Sequence, residues 1–308
     1  MTRPKVYLAG PDVFLPDAVA VGRAKRAICA RHGLDGVFPL DGERPGEVPA
    51  GAETGFAIAA ANEATMRDCD AIIANLSPFR GPSADPGTAY ELGFMRALGR
   101  PCFAYTNDPR DFVDRVEAFI GRPLGRLPDG RLVGADGLTA ESFGLADNLM
   151  LHAAVGLDAL AVVAEPGLAA SAAFEHCVGV AAPRLAGAPF RLRDCHAEFT
   201  VADVPRTLAF YVGRMGFAEA SDAQLPPGQA SLARGPVRLR LVPALPGPPM
   251  PGQSALRVLV RGLDPLLAEL AGRNCPIDRP PGEVRHGMRA FSVRDPDGNR
   301  IIFAEPAA

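Results

Sequence analysis

Apolar positions along the chain follow two rhythms, and the change falls near residue 190. In the first part, short apolar runs alternate with stretches of helical spacing. "KVYLAG" (5–10) reads as a buried strand, and a helix follows near 17–32. "GFAIAAANEATMRDC" (55–69) has helical periodicity and runs into "DAIIANL" (70–76), a second strand. "GTAYELGFMRALG" (87–99) is helical with Gly99 as its stop, and "PCFAYT" (101–106) is a third strand. Strands alternating with helices predict an α/β domain, a doubly wound parallel sheet of the flavodoxin-like kind. Ligands of such sheets sit at the carboxyl ends of the strands, here after Gly10, Leu76 and Thr106.

An Ala-rich helix, "AFEHCVGVAAPRLAG" (173–187), closes this part, and "GAP" (187–189) reads as a linker. Beyond it, "HAEFTVADVPRTLAFYVGRMGF" (196–217) gives a strand, an Asp-Val-Pro helix start and a helix ending at glycine. "ALRVLVRGLDPLLAELAGRNCP" (255–276) repeats that order with an Asp-Pro start, and β-like segments follow at 236–243 and 288–305. A Pro-rich joint (243–252) separates the copies. The pattern is an internal duplication, an α+β domain of two βαβββ modules. The expected domains are 1–186 and 190–308.

A length of 308 residues fits two domains, and 48% hydrophobic residues can fill two cores. A net charge of −3 gives no electrostatic reason for nucleic acid or an anionic membrane as partner. Charged residues or Pro interrupt every apolar run before it could span a bilayer. The first residues enter a strand with no signal-peptide segment ahead of it, and the six cysteines lack paired spacing. A cytoplasmic location with reduced thiols is expected.

The chemistry centres on "SADPGTAYELGFM" (83–95). Thr88 and Glu91 form T-x-x-E, a helix capping box, which is a sufficient structural explanation. Against it stand Asp85 on the same loop, Tyr7 beside the same crevice, and Asn62 on the preceding helix. A carboxylate at a helix N-terminus is held ionised by backbone N–H groups, as a nucleophile must be. Paired carboxylates with separate tasks suit retaining glycosyl transfer, in which one attacks the anomeric carbon and the other manages the leaving group's proton.

"VYLAGPDVF" (6–14), "NEATMRDCDAIIANLSPFRGPSADPGTAYELGF" (62–94) and "FGLADNLML" (143–151) together resemble the nucleoside 2-deoxyribosyltransferase family. The resemblance implies that Glu91 is the nucleophile, Asp85 the acid/base acting on the nucleobase, and Tyr7 the residue that orients the glutamate. It places Asn62 near the sugar hydroxyls, Phe14 and Phe79 as base-stacking or core residues, and Gly10 and Gly87 among the substrate-binding residues. Asn148 matches an asparagine that reaches a neighbouring subunit's site, implying a homo-oligomer; a helix N-cap is the competing reading. The implied partners are a deoxynucleoside and a nucleobase, with no cofactor. The loop "AGPDVFLPDA" lacks Ser, Lys or Arg, which favours a nucleoside over a nucleotide. A dedicated N-glycoside hydrolase is the alternative within the same site.

Residues 190–308, through "HAEFTVADVPRTLAFYVGRMGF" and "GMRAFSVRDPDGNRIIF", resemble the glyoxalase/bleomycin-resistance superfamily. His196 matches its first metal-ligand position, whereas Ala255 and Ile302 stand at others, and one imidazole is too few for a metal site. His196 is expected to be structural or substrate-lining, His286 stays unassigned, and "DPDGN" (295–299) reads as a hairpin turn. A metal-free binding or dimerising module is expected, which leaves open a protein acting mainly as a small-molecule binder.

Overall fold

The computed structural model describes residues 3–40, 51–186, 195–220, 225–247, 249–284 and 287–306. The linker expected at 187–189 and His286 lie outside the described residues. The chain divides into two compact units, Met1–Leu192 and Arg193–Ala308.

In the first unit, β1 (Lys5–Ala9) passes through a 3-10 turn (Pro11–Phe14) into α1 (Ala18–Arg31) and β2 (Asp35–Val37). Then come α2 (Ala52–Asp68), β3 (Ala71–Asn75), α3 (Pro86–Ala97), β4 (Cys102–Thr106) and α4 (Phe112–Ile120). A small antiparallel sheet of β5 (Gly125–Arg126), β6 (Leu132–Val133) and β7 (Thr139–Ala140) precedes α5 (Leu149–Val155), β8 (Leu160–Val162) and α6 (Ser171–Ala186). The main sheet has the order β2-β1-β3-β4-β8, with every pairing parallel. Its strands are apolar on both faces because both are covered. Val6, Leu8, Ile73, Phe103 and Tyr105 pack with Ile28 of α1 and Phe174 of α6. On the other face Tyr7, Ala9, Ile72, Ala74 and Ala104 pack with Met66 of α2 and Leu92 and Met95 of α3. This is the doubly wound sheet that the alternation predicts. The strand order reverses between β1 and β3, which places a crevice at their carboxyl ends.

The second unit contains β9 (Ala197–Val201), α7 (Val204–Gly213), β10 (Ala218–Glu219), β11 (Ala230–Arg234) and β12 (Val237–Pro243). A second set follows: β13 (Ala255–Leu259), α8 (Leu263–Gly272), β14 (Ile277–Val284), β15 (Met288–Arg294) and β16 (Arg300–Pro306). Their sheets run β10-β11-β12-β9 and β13-β16-β15-β14, so each module lays its first strand parallel to its last. Phe199, Tyr211, Leu239, Leu270, Phe291 and Phe303 join both modules in one core.

One local detail differs from the sequence reading, and another adds to it. The Asp-Pro pair does not start α8: Gly262 is its N-cap, the Glu305 carboxylate accepts from Gly262 N and Leu263 N at 3.0 Å, and Asp264 pairs with Arg289 instead. "DPDGN" is a turn with Gly298 at φ 99°, as expected, but it is also a tie between the modules. Asp297 accepts from Ala202 N, Arg206 and Thr207 Oγ1 (2.7 Å), and Asn299 donates to Thr200 O at 3.0 Å.

Candidate active site

The crevice at the β1–β3 reversal is built mainly from the loop after β3 and the start of α3. Pro86 opens α3 with the fixed φ that a first helical turn needs. Asp85 is the N-cap: its Oδ2 accepts from Thr88 N at 2.8 Å and from Thr88 Oγ1 at 3.1 Å. This corrects the capping-box expectation. The helix begins before Thr88, so Thr88 lies in the first turn and Glu91 in the second, beyond reach of the helix's free N–H groups.

Glu91 instead crosses to the sheet. The Tyr7 hydroxyl donates to its Oε1 at 2.7 Å from the middle of β1. Tyr7 is fully buried on the face of the sheet that α3 covers, so the strand's alternation aims the phenol at the helix. Burial pushes the Glu91 carboxyl up to about 7; the Tyr7 hydrogen bond opposes that shift, and the nearby Asp85 charge adds to it. The expectation that the helix terminus keeps Glu91 ionised is therefore corrected: burial favours its neutral form and the Tyr7 donor offsets part of the effect. The same environment drives the Tyr7 phenol well above its ordinary range, through burial first and the Glu91 charge second, so Tyr7 stays a donor.

Phe14 and Phe79 stack on each other, with ring centroids 5.3 Å apart and planes 15° from parallel. Phe14 is 60% exposed, so the pair forms an open aromatic wall where the β1 and β3 loops meet. Gly10 and Gly87 both permit close approach. A Cβ on Gly10 would stand 2.5 Å from Asp12 Oδ2 and 2.7 Å from Asn75 Cβ, and one on Gly87 would stand 3.0 Å from Asp85 Oδ2. Asn62 lies half-buried on α2 and takes part in none of these bonds. Asn148 is the N-cap of α5: its Oδ1 accepts from Met150 N, and its Nδ2 donates to Glu141, both at 3.0 Å. Both ends of that amide are engaged within its own chain.

The structure adds polar residues that sequence reasoning did not single out. Asp12 and Lys25 form an ion pair at 2.9 Å beneath the β1 loop, with side chains 2% and 3% exposed. Lys25 also donates to the Tyr105 hydroxyl at 2.5 Å, and Asn75 Nδ2 reaches Asp12 at 3.3 Å and Leu168 O at 2.7 Å. Burial drives the Lys25 ammonium down while Asp12 holds it up. Asp147 binds Ser83 and Ala84, directly before Asp85. The signal for Lys25 was a lysine on the inward, Ile28-bearing side of an otherwise apolar helix face. Asp12 and Asp147 carried no such signal, because the contacts that tie them to the site, Asn75 with Asp12 and Ala84 with Asp147, each join residues 63 positions apart.

In the second unit His196 is exposed just before β9, Ala255 is exposed in β13, and Ile302 is half-buried in β16. Among the described residues, no group of three or more His, Cys, Asp or Glu could hold a metal ion. No helix among them is long and apolar enough to cross a membrane.

Asp85 and Glu91 stand near the carboxyl ends of the doubly wound sheet with the Tyr7 phenol bonded to Glu91, and these are groups capable of acid/base and nucleophilic chemistry. Residues 6–150 match the sequence profile described as nucleoside 2-deoxyribosyltransferase, and residues 195–303 match the glyoxalase/bleomycin resistance protein/dioxygenase superfamily. An uncharacterized protein of Schizosaccharomyces pombe is 39% identical over 157 residues, which is 48% of this chain and 74% of that protein. A 2-desoxiribosyltransferase from Leishmania mexicana is 35% identical, covering 57% of this chain and 97% of its own, with a TM-score of 0.42. Virulence protein STM3117 from Salmonella typhimurium is 23% identical, covering 38% of this chain and 99% of its own, with a TM-score of 0.33. The chain belongs to the nucleoside 2-deoxyribosyltransferase family, and its second unit is similar to the glyoxalase/bleomycin resistance protein/dioxygenase superfamily over residues 195–303.

Proposed function

We propose that the first unit exchanges nucleobases on 2′-deoxyribose by double displacement, with Glu91 as nucleophile and Asp85 as acid/base. The observation that carries this reading is the Tyr7–Glu91 hydrogen bond at 2.7 Å on a carboxylate whose burial lifts it to about 7. A partly desolvated carboxylate is a stronger nucleophile than one in water, and a single donor fixes which oxygen is held and which is free to attack.

In the first half-reaction the free Glu91 oxygen bonds to C1′ as the C1′–N bond breaks. The bonding pair leaves with the base, and the Asp85 proton goes to the base nitrogen. In the second, Asp85 takes a proton from the incoming base, whose nitrogen attacks C1′ and releases Glu91 as carboxylate. The transition state is oxocarbenium-like, and the neighbouring carboxylate charges favour it. The Phe14–Phe79 wall offers a face for a base. A deoxynucleoside, rather than its 5′-monophosphate, fits the β1 loop, since Lys25 beneath it is committed to Asp12.

The test is incubation with deoxyinosine and adenine. Deoxyadenosine is the expected product. Free deoxyribose alone would replace transfer by hydrolysis, and faster turnover of the 5′-monophosphate would overturn the nucleoside assignment. No conversion at all, combined with tight binding of a bleomycin-like ligand, would favour the binding-protein reading.

A further inference from the structure

We propose that Asp147 is the positioning residue of this site, a buried carboxylate that fixes the loop carrying Asp85; the proposal rests on the transferase reading above. The loop between β3 and α3 has no ladder of its own, yet it must deliver both Phe79 and Asp85. Its backbone polar groups need partners from elsewhere. Asp147, just ahead of α5, supplies them. Its Oδ1 accepts from Ser83 Oγ at 2.5 Å and from Asn148 N at 2.7 Å, and its Oδ2 accepts from Ala84 N at 2.9 Å.

The anchor reaches the chemistry in both directions along the loop. Downstream, Ala84 is buried and adjoins Asp85, whose carboxylate is then aligned by Thr88. Upstream, Ser83 O accepts from Phe79 N at 3.0 Å, which closes the loop and places the ring against Phe14. One side chain therefore sets the acid/base and one half of the aromatic wall together.

The Asp147 side chain is 1% exposed, and its charge is balanced by Arg115, whose Nη1 lies 3.8 Å away and is equally buried. Arg115 is itself tied to the end of β4 through Thr106 Oγ1 (3.2 Å) and Asp108 O (2.8 Å). Burying a charge costs several kcal/mol, and charge-assisted bonds are shorter and stiffer than neutral ones. A tie meant only to close a loop would need neither; one that must hold a proton donor to a fraction of an ångström gains from both.

The test compares kcat for 2′-deoxyguanosine and 7-methyl-2′-deoxyguanosine in the full-length protein and its Asp147→Ala, Asp147→Asn and Ser83→Ala variants. The methylated base is already cationic and departs without a proton from Asp85. For Asp147→Ala we expect kcat to fall about 100-fold on deoxyguanosine and less than about threefold on the methylated substrate. Asp147→Asn, which keeps one acceptor, should fall between wild type and Asp147→Ala on deoxyguanosine. Should Asp147→Ala fail to fold, Ser83→Ala, which removes one bond and keeps the charge, must show the same split at several-fold size. Equal losses on both substrates, or none, would overturn the proposal. Backbone amide exchange gives a reading without turnover: protection at 83–88 should drop in the variants while the sheet keeps its own. Unchanged exchange there sinks the anchor, whereas a wild-type protein that converts neither substrate sinks the transferase reading alone.

Discussion

Replacing Glu91 by glutamine tests whether the proposed nucleophile is held against its own stability. Burial lifts its carboxyl from an ordinary 4.5 to about 7. Such a displacement weighs roughly 3 kcal/mol against the ionised form. Because Glu91 keeps some access to solvent, screening reduces this to about 1–2 kcal/mol. The sign follows from proton counting. Between 4.5 and about 7 the folded chain holds a proton that the unfolded chain has released, so stability falls as pH rises through that window. Above about 7 the whole penalty is in place. Glutamine keeps an acceptor for the Tyr7 hydroxyl and carries no charge, so the variant escapes the penalty.

Melting should therefore be followed from pH 4.5 to 8.5 for both proteins at one ionic strength. Circular dichroism is the natural probe, since the chain has 0 Trp. The two melting curves should coincide near pH 4.5 and separate through neutrality. At pH 8 the variant should melt higher by about 2–6 °C, the shift that 1–2 kcal/mol gives a unit of this size. Turnover should be lost throughout. A variant that melts lower than wild type at pH 8, or a difference that ignores pH, would show that the ionised Glu91 is not under strain. Stability traded for a reactive group would then be the wrong account of this site.

Tyr7→Phe removes the donor that lowers the Glu91 pKa, so the rising limb of kcat/KM, expected near 7 in the wild type, should move up by about one to two pH units. A limb that stays put in a pH–rate series would show that Tyr7 does not tune the carboxylate. Asp12→Ala strands the Lys25 ammonium in the core and should cost about 3–5 kcal/mol in urea denaturation, most of it recovered in the double variant Asp12→Leu/Lys25→Met. A cost below about 1 kcal/mol would mean that the lysine finds water.

Sequence periodicity located β1, β3, β4 and the helices between them because those strands are short apolar runs buried on both faces. It did not single out β2 or β8. Each has three residues, and "DGV" carries too little apolar signal to stand out from a loop. Module order in the second unit was legible for a different reason: each copy repeats a strand, an Asp and Pro near the helix start, a helix and a glycine. The inter-module tie through Asp297 was not, because its partners at Ala202, Arg206 and Thr207 are about 90 residues upstream and look like a plain helix start.

The reading of α3 shows where local pattern misleads. T-x-x-E scores as a capping box from four letters, yet Asp85-Pro86 offers a better start three residues earlier: a carboxylate that can accept and a proline with no N–H to leave unpaired. Moving the cap to Asp85 shifts Glu91 from the first turn to the second, and that shift makes room for the tyrosine bond. Oδ2 of Asp85 is taken by Thr88, and the proposed function gives the base to Oδ1. A helix cap is normally free to rotate within the slack of its loop, which a proton donor cannot afford. On the proposed reading, the buried bonds from Asp147 to Ser83 and Ala84 take up that slack for the acid/base, while the Tyr7 bond ties the nucleophile to the sheet beneath it. The two carboxylates reach one crevice from unrelated anchors, a loop tied to Asp147 and a tyrosine in β1, so a substitution at one anchor can displace one carboxylate and leave the other in place.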